Sequence, residues 1–192
     1  MGKKLSQAVF TFNGMAKQIP KPIVNALNKT ADHIRVLASK EVAKHYTIKQ
    51  RDAKSMTRVF PRAHIGSFHA AVRAESRLLT PYHFKYTPTT GITTKSGTGW
   101  KNSYLRPTTT VTIKKGNKQS LRHAFVAVIR GTRNVYARKE GGKKIVSLRS
   151  VSLPQMIANE KVSSEIYKDV TEFYEKKFMQ EFNFVAEKAG FK

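Results

Sequence analysis

From Pro20 onward apolar residues recur every three or four positions, and Ile23, Leu27, Ala31, Ile34, Ala38, Val42 and Tyr46 fall along one stripe of a helix. Pro20 and Pro22 suit its first turn, where backbone N–H groups have no intrahelical acceptor. Thr47-Ile48-Lys49-Gln50 has the form of a capping box and predicts a second, short helix running to about Met56. After Pro61 the period drops to two: Phe68, Ala70, Val72 and Ala74 alternate with His69, Ala71, Arg73 and Glu75, as in a strand with one buried face. Pro81 should interrupt any continuation, with His83 to Thr87 as the place where a strand could resume. Four further strand candidates follow, Thr108 to Lys114, Arg122 to Arg130, Asn134 to Lys139 and Lys143 to Leu148. Their connections, Lys115-Gly116-Asn117-Lys118, Gly131-Thr132-Arg133 and Glu140-Gly141-Gly142, are short and tolerant of positive φ, which makes neighbouring strands antiparallel. Ser152-Leu153-Pro154-Gln155 is a second capping box. Beyond it Val162, Ile166, Val170, Phe173, Phe178, Phe182, Val185 and Ala189 mark an amphipathic stripe that ends at Gly190.

These elements predict an α+β fold: an antiparallel sheet of about five strands in a meander, packed with an N-terminal helix and a long C-terminal amphipathic helix. The length of 192 residues lies within the single-domain range, so 1–192 is expected to form one domain. Its parts would be helices over 20–56, the sheet over 58–149 and a helical region over 152–190. Residues 88–106, rich in Thr, Gly, Ser and Lys, look like a long mobile loop between strands, with Trp100 and Tyr104 as partner-facing anchors. About 30 helical residues would extend roughly 45 Å, longer than one small sheet can cover. Ile166, Val170, Phe173, Phe178 and Phe182, with Trp100 and Tyr104, are therefore the candidate subunit interface.

Charge changes this picture more than composition does. Lys and Arg number 36 against 12 Asp and Glu, a formal net charge of +24. Residues 1–159 hold 30 basic and 5 acidic side chains, whereas residues 160–192 hold 6 and 7. Self-repulsion on that scale calls for a polyanion or an acidic protein surface in the working state. There is no Cys, which removes disulfides, thiolate chemistry and Cys-ligated zinc and fits a reducing compartment. No apolar run approaches the roughly 18 residues of a membrane span, and Ala8 to Phe12 after Lys3 and Lys4 is too short for a secretory signal. The chain reads as soluble and unexported, with no membrane partner.

Catalysis finds little support. His33 and His45 are twelve residues apart on one helix, about 18 Å along its axis, and cannot share a metal. Glu41 and His45 share a face without forming an H-E-x-x-H pattern. No nucleophile elbow, phosphate-cradling glycine loop or cluster of acids is present, since only Asp32, Glu41, Asp52 and Glu75 precede residue 140. Neither an enzymatic activity nor a cofactor or metal is expected. Binding fits better. Lys114, Lys115, Lys118 and Arg122 crowd one hairpin, and Arg130, Arg133, Arg138, Lys139, Lys143 and Lys144 crowd the next two turns. Such clusters reward contact with backbone phosphates or with an acidic partner, without any base readout.

Three segments carry a family likeness: Ala38 to Asp52 at the helix exit; Ala124-Phe125-Val126-Ala127 with Val135-Tyr136-Ala137-Arg138; and Ser150 to Met156 before the terminal helix. In that order the chain resembles the minor tail protein Z, or tail completion, family of lambda-like long-tailed bacteriophages. The resemblance implies a structural virion protein at the head-proximal end of the tail, made in the bacterial host cytoplasm and active in head-tail joining and genome placement. It also implies a homo-oligomer, a hexameric ring matched to the tail. Tail terminator, tail tube or head-tail connector proteins would be its neighbours, and contact with genomic double-stranded DNA would be non-specific. The family carries no catalytic motif onto this chain. The competing expectation is a small basic nucleic-acid-binding protein of ribosome- or nucleoid-associated type.

Overall fold

A computed structural model describes residues 20–87, 109–121, 123–129, 131–138 and 144–188. Helix α1 spans Pro20–His45 and α2 spans Gln50–Ser55. Strands β1 (Thr57–Val59) and β2 (Val72–Ala74) come next, then a 3-10 helix at Pro81–His83 and β3 (Lys85–Thr87). Strands β4 (Thr109–Thr112), β5 (Lys118–Leu121), β6 (Ala124–Ile129), β7 (Thr132–Arg138) and β8 (Ile145–Ser147) precede α3 (Leu153–Ile157) and α4 (Glu160–Lys188). The α+β class with a helix near each end is thus as expected. The single five-strand meander is not: the strands form three small sheets, ordered β1-β2, β3-β4-β5 and β6-β7-β8.

The chain divides into two compact units. Among the described residues the first gathers 20–38, Thr57–Arg73 and 163–188. Here α1 and α4 are tied by Asn25 and Lys29, which both donate to the Glu181 carboxylate, while Asp32 of α1 takes a two-pronged bond at 2.7 and 3.1 Å from Arg62 in the Thr57–Arg73 segment. Asn28 clamps the backbone of Ala63 from both sides, donating to its carbonyl at 3.0 Å and accepting from its N–H at 2.9 Å. The strand expected from Phe68 shrinks to Val72–Ala74, because His64 and Ser67 close a tight backbone bridge and leave Phe68 exposed.

The second unit gathers Ser39–Met56 and Ala74–Val162. Its core contains Val42, Tyr46, Ile48, Ala53, Leu79, Phe84, Val111, Val126, Val135, Leu153 and Met156. Burying Leu153 or Met156 completely stabilises by roughly 1.5–3 kcal/mol each. Both three-stranded sheets are antiparallel, with Tyr86 opposite Val111, Thr110 opposite Ser120, Val126 opposite Val135 and Ala137 opposite Val146. Strand β5 begins at Lys118, expected as the end of a turn, and runs through Gln119 to Leu121, which fell in no expected strand. Three of its four residues, Lys118, Gln119 and Ser120, are polar and exposed on a sheet edge, so no apolar alternation announces it. Between β5 and β6, His123 adopts a φ of 61°, and the two strands join different sheets.

Local chemistry accounts for the other departures. Thr47 does not cap α2: the residue before that helix is Lys49, with no side-chain cap bond. The Thr47 hydroxyl instead donates to the Thr112 carbonyl and accepts the Lys85 N–H at 3.1 Å, bridging β3 and β4. The Ser152 box forms as read, Gln155 accepting the Ser152 N–H at 2.9 Å. The helix it opens stops at Ile157, and Asn159 restarts the chain as α4 by accepting the Lys161 N–H at 3.3 Å. The β6–β7 connection is tighter than expected: Ile129 pairs with Thr132 and Gly131 takes a positive φ of 76°, which leaves Thr132 and Arg133 in the strand. Loop 88–106, with Trp100 and Tyr104, lies outside the described residues.

Candidate functional site

The β4–β5 hairpin presents the densest described group of cations. Asn117 donates to the Lys114 carbonyl at 3.1 Å to close the turn, and Gly116 sits at φ 83° with open space where a Cβ would stand. Two backbone contacts hold it to the end of α1: Tyr46 bridges Lys114, and the Lys115 N–H donates to the His45 carbonyl at 3.0 Å. That bond satisfies a terminal helix carbonyl, and the cations near it favour the negative end of the helix dipole. Lys114, Lys115 and Lys118 are exposed and form no ion pair among the described residues.

The second predicted crowd is less unified. Arg133 and Arg138 are exposed on β7, five residues apart, so the two-residue period sends them to opposite faces of the sheet. Lys144 is exposed just before β8. Arg122, Arg130, Lys139 and Lys143 lie outside the described residues.

Near Arg133 the second unit opens a groove of about 680 Å³, which sequence reasoning missed. Its lining includes Lys49, Asp52 and Met56 from α2 and its flanks, Tyr82 and Phe84 around the 3-10 helix, and Lys85 and Tyr86 from β3. Tyr82 is 49% exposed, with its ring centroid 6.2 Å from that of Tyr86. The signal in the sequence is the aromatic and basic run from Tyr82 to Tyr86, which along the chain reads only as an interruption at Pro81 followed by a resumed strand over His83 to Thr87.

The candidate interface on α4 is partly occupied within its own unit. Ile166 is buried, Val170 is half-buried, and Phe173 stacks on His33, whose Nε2 lies 2.5 Å from Asp169 Oδ1. Phe178 and Phe182 are half-buried and continue a ladder from Tyr174, with centroid spacings of 6.2 and 6.1 Å. Tyr167, Met179 and Phe184 on the same helix are exposed. Bonds from Lys29 and Asn25 hold the Glu181 carboxyl below its ordinary pKa, and the Asp32 carboxylate raises that of Arg62. Glu41, expected beside His45, is buried and pairs with Lys44 at 3.2 Å. Among the described residues no group of three His, Cys, Asp or Glu could hold a metal ion, and no helix is long and apolar enough to cross a membrane.

The family described as prophage minor tail protein Z (GPZ) matches residues 3–186, nearly the whole length and both units. The chain belongs to this family. No curated protein and no solved structure matches it. Membership makes the chain a bacteriophage minor tail protein and hence a component of the virion. The matched span takes in the basic hairpin, the groove and nearly all of α4.

Proposed function

We propose that this minor tail protein completes the head-proximal end of the tail as a homo-oligomeric ring, aiding head-tail joining and genome placement. Its neighbours in that position would be tail terminator, tail tube or head-tail connector proteins. Family membership supports the tail role, and the observation that carries the reading further is the β4–β5 hairpin. Three exposed cations on a turn fixed to the end of α1 form a presented surface that meets genomic double-stranded DNA through its phosphates, without base readout.

Deleting the gene should yield defective tails or misjoined particles under negative stain, and a plasmid copy should restore them. A copy carrying Lys114→Glu, Lys115→Glu and Lys118→Glu should fold yet restore particles poorly. Normal infectious particles from the deletion strain would end this reading.

A further inference from the structure

The groove of the second unit has a chemistry that the hairpin lacks. Lys49, Lys85 and Arg133 are exposed at its rim and form no ion pair among the described residues. The buried Phe84 and half-buried Met56 supply apolar lining, and Tyr82 offers a half-exposed aromatic face. Its single acid, Asp52, is half-buried. A volume of about 680 Å³ lies within the roughly 300–1,000 Å³ of pockets that enclose small ligands and anchoring side chains.

These features select among occupants. A DNA duplex is too wide to enter a recess of this size, and the Asp52 carboxylate opposes a dense row of phosphates while it can accept peptide N–H groups. The chain's own segments 1–19 and 88–108 each carry three Lys or Arg and no Asp or Glu, so neither complements the rim. We propose that the groove between α2, the 3-10 helix and β3 docks an acidic peptide segment of another protein. Carboxylates of that segment meet Lys49, Lys85 and Arg133, and an aromatic or large apolar side chain rests on Tyr82. Opposite charge guides the encounter, and the buried anchor supplies the residence.

A fluorescein-labelled peptide of sequence Glu-Asp-Phe-Asp-Glu, read by fluorescence anisotropy on the full chain, tests this. The Lys85→Glu, Arg133→Glu double variant should weaken binding at least about tenfold, whereas Lys115→Glu with Lys118→Glu, an equal charge change on the hairpin, should weaken it less than about threefold. Tyr82→Ser leaves the charge intact. It should weaken the Phe peptide and leave a Phe-to-Ser peptide unchanged, so the proposal stays testable if the double variant fails to fold by circular dichroism. Equal losses from the two double variants would overturn the proposal, because undirected charge would then suffice. Failure of the peptide to bind would also overturn it, as would tighter groove-dependent binding of an oligothymidylate of equal charge or groove-dependent self-association. No phage particle enters the assay, so its failure leaves the tail role untouched.

Discussion

The imidazole of His33 lies parallel to the ring of Phe173, with centroids 3.9 Å apart and planes 2° from coincidence. One residue comes from α1 and the other from α4, and the same imidazole contacts Asp169 one helical turn before Phe173. Phe173 thus has work to do inside its own chain. Phe173→Ala should lower the stability of the first unit by about 1–2 kcal/mol, below the roughly 3–5 kcal/mol of a fully buried Phe because the ring is half-exposed. A melt followed by circular dichroism should fall by about 2–8 °C, and an unchanged melting temperature would show that the stack contributes nothing.

Thr47 bridges two strands with one hydroxyl, giving a proton to Thr112 and receiving one from Lys85. Thr47→Val keeps the shape and strands both backbone partners. The expected cost is about 1–3 kcal/mol. Thr47→Ser should recover most of it, and denaturant unfolding of the two variants side by side decides the point.

Glu181 sets a pH dependence. Its carboxyl is held below the ordinary value, first by hydrogen bonds from Lys29 and Asn25, so the native state favours the ionised form. The resulting stability is fully present above the ordinary value of 4.5 and is lost as pH falls through the depressed folded value. Glu181→Gln should melt lower than the parent at neutral pH, and the gap should close in strong acid. A gap that stays constant from neutral pH to strong acid would sink the assignment.

The hairpin lysines make a salt-dependence prediction. If Lys114, Lys115 and Lys118 meet phosphates, each Lys→Ala change should flatten the slope of log affinity against log salt for duplex DNA by about 0.9. The loss should be the same for unrelated DNA sequences. A slope unchanged in the triple variant would assign the hairpin to a protein partner instead.

How much of this was readable beforehand depended on the kind of signal each residue carries. The stripe from Ile23 to Tyr46 and the box at Ser152 and Gln155 are local patterns, and both appear where expected. Thr47 carried the same local pattern but found partners 38 and 65 residues away, and tertiary bonding overrode the cap. Strand β5 was invisible because three of its four side chains, Lys118, Gln119 and Ser120, face water. The hairpin cations were legible, because Lys114, Lys115 and Lys118 lie close together along the chain. The groove was not, because Lys49, Lys85 and Arg133 are brought together only by folding, and no spacing along the chain records that.

The outer edge of the β3-β4-β5 sheet also limits how this molecule can stick to itself. Open backbone groups along a strand invite endless stacking of like on like, and a short polar segment opening with a charged lysine discourages it. For a component of a virion, that protection keeps fibres from competing with incorporation into the particle.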